Sequence, residues 1–101
     1  MFKNLELGGV YTLKLNSGEE LLTKVKSIGE DYIIVEEPVS IAPGPQGVGL
    51  VPSMFTADTK AEVRINTRSV SILAPTEDNV KLKYLEATTG IKVPSKKLVL
   101  G

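Results

Sequence analysis

The chain has 101 residues, enough for one domain and too few for two independent ones, so we expect a single domain over residues 1–101. Its 42% hydrophobic and 24% charged residues are typical of a folded protein rather than a disordered one. Twelve Lys and Arg balance twelve Asp and Glu, which excludes a general electrostatic attraction to nucleic acid or to an anionic membrane. Any site for a polyanion must therefore be local.

The sequence contains neither Cys nor His. This excludes disulfides, thiolate nucleophiles, the usual zinc site and the His-assisted catalytic triad. A catalytic site would then need a cluster of Asp, Glu, Lys or Tyr with perturbed pKa values, and the sequence shows no such cluster. We therefore expect no enzyme, no cofactor, no metal and no small-molecule substrate.

Compartment and membrane topology are also constrained by composition. The absence of cysteine suits a reducing compartment, and no segment approaches the roughly 20 apolar residues that cross a bilayer. We expect a cytoplasmic protein, in the host cytoplasm if it is viral, with no membrane partner.

Apolar alternation and β-favouring residues predict three strands in the first third of the chain. Residues 11–15 alternate, and residues 20–28 form a mixed strand that shifts its buried face at a bulge. Residues 32–35 are four β-favouring residues in a row, which predicts a central strand covered on both faces. Turn signals at residues 16–18 and 29–31 separate these strands.

Proline and glycine punctuate the middle of the chain. Residues 36–38, Glu-Glu-Pro, are predicted to end the third strand, and residues 39–41 alternate again. Residues 42–47 are predicted to be an exposed loop, because Pro lacks a backbone donor and Gly costs entropy in a strand. Residues 48–54 then predict an edge segment, and residues 56–60 a loop.

Two short alternating runs, residues 63–65 and 70–72, are joined by residues 66–69, which predicts a tight β connection. After Pro75, Thr76 is a candidate N-cap and Gly90 a candidate end for a short helix.

Val80, Tyr84 and Ala87 would share one face of that helix. Residues 80–84 also alternate as in a strand, so a strand remains the alternative. Residues 91–101 are either a docked extension or an unstructured one.

These elements predict a mainly all-β fold, a small barrel with a possible short C-terminal helix. Its core would cover about residues 10–73, and an extension residues 76–101. A small barrel leaves unpaired backbone groups at its edges, and pairing with a copy of itself removes that liability.

Two segments resemble the motifs of a known family. Leu13-x-Leu15-x-x-Gly18, followed by a long second strand, a polar turn and Tyr32-Ile33-Ile34-Val35, resembles the first motif of Sm and Sm-like proteins. The segment from Val63 to Ile72 resembles the second motif. In detail the chain looks similar to a divergent Sm-like (LSm) family known from marine metagenomes and thought to come from cyanophage.

The resemblance implies a strongly bent five-stranded, SH3-like barrel that joins through its fourth and fifth strands into a homo-oligomeric ring. A ring of roughly five to seven subunits is expected, with single-stranded RNA bound around the pore, as in an RNA chaperone or an RNA-processing accessory. The residues expected at the subunit interface are Val63, Ile65, Val70 and Ile72. The residues expected to contact RNA are Asp31, Tyr32, Asn66 and Arg68.

Each RNA-contact candidate has a simpler interpretation beside the functional one. Tyr32 could stack on a base or be a half-buried strand aromatic, and Asp31 could accept from a base edge or only shape its turn. Asn66 and Arg68 are the stronger pair, since an amide can read a base edge and a guanidinium can hold a phosphate. The alternative function is a phage-associated structural or protein-interaction module that uses the same fold without nucleic acid.

Overall fold

The protein is mainly β with one short helix, as the sequence predicts. The structure, a computed structural model, describes residues 5–45 and 47–89. In these ranges it has six strands where five were expected. The strands are β1 (Val10–Leu15), β2 (Glu20–Ile28), β3 (Tyr32–Gly44), β4 (Gly47–Pro52), β5 (Val63–Asn66) and β6 (Val70–Pro75). A 3-10 helix, Thr67–Ser69, links β5 to β6, and helix α1, Asp78–Thr89, follows β6.

The strands form one antiparallel sheet in which β3 is central. The path runs β4-β3-β2-β1-β6, and β5 also pairs with β3. β2 lies along one edge of β3, while the other edge pairs with β5 at residues 32–35 and with β4 at residues 39–44. Within the described ranges β4 does not pair with β6, so the sheet is not closed.

β2 shifts its buried face at bulges, which confirms the prediction for this strand. Its register against β3 changes between Leu22 and Lys24 and again between Val25 and Ser27. The adjacent Leu21 and Leu22, which precede both shifts, lie on opposite faces of the sheet and are both buried, each in a different core cluster, so β2 is covered on both faces there.

Two hydrophobic clusters stabilise the fold. The first lies beneath β5 and β6, and its buried members are Tyr11, Leu13, Leu21, Val25, Ile33 and Val35. The second lies against helix α1, and its buried members are Val10, Leu22, Leu50 and Tyr84. Val80 packs against the second cluster, so the predicted apolar face of α1 is confirmed at Val80 and Tyr84.

β3 is much longer than the sequence predicts, and the prediction of an end at residues 36–38 is wrong. The loop predicted at 42–47 is wrong at residues 42–44, which belong to β3, and at Gly47, which begins β4; Pro45 lies in a turn, and Gln46 is outside the described residues. Glu37 bends the strand without ending it: its φ is 52°, and its N–H donates to the Thr59 carbonyl at 2.8 Å. Farther on, Pro43 pairs with Val48 in the β3–β4 ladder. Proline is tolerated there because β2 pairs with β3 only as far as Ser40, which leaves β3 a single paired edge.

The connection from β5 to β6 is a 3-10 turn rather than a hairpin. β5 pairs with β3 and β6 pairs with β1, so the two consecutive strands lie on different neighbours. The tight connection predicted at residues 66–69 therefore carries the chain from one part of the sheet to another.

The start of α1 differs in detail from the prediction. Thr76 is buried, and its hydroxyl is 3.0 Å from that of Thr12 on β1. The cap is provided by Glu77, whose carboxylate accepts from the N–H of Val80 at 3.2 Å. The prediction of Thr76 as the cap is therefore wrong, because tertiary contact takes its hydroxyl. Gly90 and residues 91–101 lie outside the described residues.

Candidate functional site

Two turns that are far apart in the sequence lie against each other. The buried Thr67 donates its backbone N–H to the Asp31 carbonyl at 2.9 Å. Its hydroxyl lies 3.3 Å from the Glu30 carbonyl and 3.2 Å from that of Asp31. These bonds hold the turn between β2 and β3 against the 3-10 helix, so all four predicted RNA-contact residues lie in one region.

Tyr32 and Asn66 lie directly opposite each other in the ladder between β3 and β5. The Arg64 guanidinium carbon is 4.8 Å from the centroid of the Tyr32 ring, a cation–π contact. Such a contact stabilises by about 0.5–1 kcal/mol at exposed sites. Tyr32 is 39% exposed, so its ring remains partly open to a ligand.

Arg64 was not among the predicted site residues. The signal that could have found it is strand alternation: Val63 and Ile65 pack against the first core cluster, so Arg64 and Asn66 share the solvent face of β5. Its contact with Tyr32 depends on the pairing of β5 with β3, which no local pattern reveals.

Asn66 and Arg68 are coupled through a backbone cap. The Asn66 side-chain oxygen accepts from the Arg68 N–H at 2.9 Å, which leaves the Asn66 amide NH₂ as the group that faces a ligand. The Arg68 carbonyl accepts from the Asn16 side chain at 2.6 Å, and the Asn16 N–H donates to the Ser69 carbonyl at 2.7 Å. The backbone under Arg68 is thus fixed from two sides while its side chain is exposed.

The net charge of this surface is zero. Arg64 and Arg68 contribute two positive charges, and Glu30 and Asp31 in the adjoining turn contribute two negative ones. All four side chains are exposed, so their mutual interactions are screened by solvent. A ligand bound here would be held by stacking and hydrogen bonds more than by charge.

The four predicted interface residues have different environments. Val63, Ile65 and Val70 are partly buried and pack against the first core cluster of their own chain. Ile72 is 59% exposed. In the described part of the chain, β5 pairs only with β3 and β6 only with β1, so each strand has one edge without a strand partner.

Tyr84 is a buried titratable residue whose pKa is shifted in the folded chain. Burial, and to a smaller extent the Glu37 carboxylate, raises the pKa of its phenol well above the ordinary value of 10.0. Its hydroxyl donates to the carbonyls of Glu36 and Glu37, at 3.2 and 2.8 Å. The Tyr84 phenol is therefore a neutral structural donor at pH 7.

Among residues 5–45 and 47–89, no three acidic side chains come together in a group that could hold a metal ion. No helix in these ranges is long and apolar enough to cross a membrane. In comparisons with known proteins, no family model and no curated protein matches the sequence.

Proposed function

We propose that the chain is a subunit of a homo-oligomeric Sm-like ring that binds single-stranded RNA. The strand connectivity supports this proposal. β4 and β5 follow one another along the same edge of β3, and in a five-stranded barrel the two together would take the position of a single fourth strand. The 3-10 turn then leads into the last strand, which lies beside β1.

Assembly would use the edges of β5 and β6. A strand edge without a partner exposes backbone donors and acceptors, and pairing with a second copy satisfies them. The exposed Ile72 on β6 would then be covered by the neighbouring subunit, while Val63, Ile65 and Val70 would support the edges from within.

RNA would bind at the surface that contains Tyr32, Arg64, Asn66 and Arg68. The observation that carries the proposal is the stacking of the Arg64 guanidinium on the Tyr32 ring, 4.8 Å from its centroid, opposite Asn66. Stacking on an aromatic ring contributes about 1–3 kcal/mol per base by truncation. Ring symmetry would repeat this surface around one axis, so one RNA could contact the same stacking and hydrogen-bonding groups of several subunits.

Fluorescence anisotropy with short single-stranded RNA tests the binding step. Tyr32→Leu keeps an apolar strand residue but removes the stacking ring, and should weaken binding by about 5- to 100-fold. Arg68→Ala should weaken it and reduce the salt slope by about 0.7 for each phosphate that the arginine no longer neutralises. Lys83→Ala, an exposed change on α1, is the matched control for removal of a positive charge. No saturable binding at micromolar protein, or equal effects of all three changes, would contradict RNA binding at this surface.

The mass of the purified protein in light scattering tests the assembly step. We expect a multiple of 10.9 kDa, and a lower mass for Ile72→Lys, which places a charge at the proposed contact. A strictly monomeric protein would refute the ring.

An alternative function, a protein-interaction module without RNA, is favoured by a different observation. Three apolar side chains on β4 and in the loop after it are exposed: Val48 at 68%, Met54 at 38% and Phe55 at 86%. Oligomerisation without RNA affinity, together with recovery of a specific protein partner that no longer binds the Phe55→Ser variant, would favour this module over the RNA-binding ring.

A further inference from the structure

An apolar cleft of about 490 Å³ opens where the second core cluster ends. Val39 and Leu50 form its floor on β3 and β4, Phe55 and Thr59 belong to the loop after β4, and Ala87 lies at the end of α1. This volume lies within the range of pockets that bind small-molecule ligands in other proteins, so the cleft can also hold several side chains.

The cleft resembles a part of the hydrophobic core that is not covered. Its lining is predominantly apolar, and Phe55 is 86% exposed in the described part of the chain. Among the described residues of the lining Glu37 is the single ionisable one, so an occupant with apolar side chains and a positive charge would match it best.

The chain itself continues from this cleft with a segment of that composition. Thr88 lines the cleft, and Ile91 follows three positions later. Residues 91–100, which lie outside the described ranges, read IKVPSKKLVL: five apolar aliphatic residues, three lysines and no acidic residue. A segment attached this closely has an effective concentration on the order of millimolar, so weak contacts suffice. We propose that residues 91–100 dock in the cleft of their own chain, with apolar side chains on Val39, Leu50 and Phe55 and a lysine near Glu37.

A spin-label experiment on the full-length chain tests this docking, and the absence of native cysteine makes labelling specific. A nitroxide on Thr59→Cys lies at the cleft, and one on Glu30→Cys, in the turn before β3 and outside the cleft lining, is the control. In samples diluted with unlabelled, NMR-silent protein, the Thr59 label should broaden the amide signals of residues 91–100 beyond detection. The Glu30 label should leave them intact, and Glu37→Gln should reduce the broadening from the Thr59 label.

Four outcomes would overturn the proposal. One is the absence of broadening from the Thr59 label; another is equal broadening from both labels. The third is broadening that appears only when spin-labelled protein without ¹⁵N is mixed with unlabelled ¹⁵N protein, because the occupant would then be a second copy. Strong binding of an apolar dye to the unmodified chain, abolished by Phe55→Ser, would likewise show an open cleft available to another molecule.

Discussion

Replacing Tyr84 by Phe should separate the contribution of one hydroxyl from that of the buried ring. Tyr84 is fully buried in the second core cluster, and its hydroxyl donates to the Glu37 carbonyl at 2.8 Å and lies 3.2 Å from that of Glu36. Phe fills the same volume but leaves the Glu37 carbonyl without this donor. A net hydrogen bond contributes about 0.5–1.5 kcal/mol, and an unsatisfied buried acceptor costs about 1–3 kcal/mol. We expect a decrease of about 1.5 kcal/mol in the free energy of unfolding at pH 7.

The same substitution should change how stability depends on pH. The pKa of the Tyr84 phenol is raised in the folded protein, so the unfolded chain loses this proton first as the pH rises above about 10. The stability that the phenol contributes is fully present below that pH and falls by about 1.4 kcal/mol per pH unit above it. Because Phe cannot ionise, the difference between the two proteins should shrink to about zero near pH 11.

Urea denaturation followed by circular dichroism at pH 7, 9, 10 and 11 measures both effects. Tyr11→Phe is the control, because the Tyr11 hydroxyl accepts from the N–H of Glu6, an exposed residue, at 2.8 Å in a part-buried bond where water can replace it. It should cost only about 0.5 kcal/mol at pH 7. If Tyr84→Phe costs no more than the control, or if its effect stays constant to pH 11, the assigned role of the buried hydroxyl is wrong.

Two further substitutions test the turns beneath the proposed surface. Gly18 has a φ of 98°, so Gly18→Ala should destabilise the fold by at least about 1 kcal/mol. Gly44→Ala is the control and should be nearly neutral, because Gly44 has no positive φ and an added Cβ would meet its nearest atom at 3.6 Å. Similar melting temperatures for the two variants would contradict this. Thr67→Val keeps the shape of the buried side chain but removes the hydroxyl donor to the carbonyls of Glu30 and Asp31, and should cost about 1 kcal/mol in urea denaturation. A Val variant as stable as the parent would show that the backbone bond from residue 67 is sufficient to join the turns.

Most strands could be predicted from the local sequence, because several neighbouring residues in each strand share the same pattern of apolar and polar positions. The mixed pattern of β2 predicted a bulge, and the register shifts beside Lys24 and Ser27 confirm it. The helix after Pro75 could not be decided locally because residues 80–84 also alternate. The helix is favoured by tertiary contacts of Tyr84, whose hydroxyl donates to the carbonyl of Glu37 and whose ring packs in the second cluster.

The length of β3 could not be predicted from its own residues. Glu36-Glu37-Pro38 has the composition of a strand end, but contacts from distant segments hold Glu37 in an unfavourable conformation: Thr59 accepts from its N–H, and Tyr84 donates to its carbonyl. These partners lie 22 and 47 positions away in the chain. Local preference is overruled here by tertiary hydrogen bonding.

The candidate site was predicted in part. The resemblance to the Sm-like motifs suggested Tyr32 and Arg68 as contact residues, and the structure brings their two turns together through Thr67. Arg64 was missed because its partner ring belongs to a strand 32 positions earlier, and the cap formed by Asn66 depends on the 3-10 geometry after β5.

The exchange of partners along β3 has a consequence for how this protein can vary. The ladder with β5 ends at Val35 of β3 and the ladder with β4 begins at Val39. Only three residues separate the two ladders, and Glu37, where the strand bends, is one of them. Insertions within residues 53–62 would lengthen the loop between β4 and β5 without changing the register of either ladder. One residue inserted between Val35 and Val39 would instead invert which side chains face inward along half of the longest strand. Among homologues, insertions and deletions should therefore occur in the loop of residues 53–62 and be absent from residues 36–38.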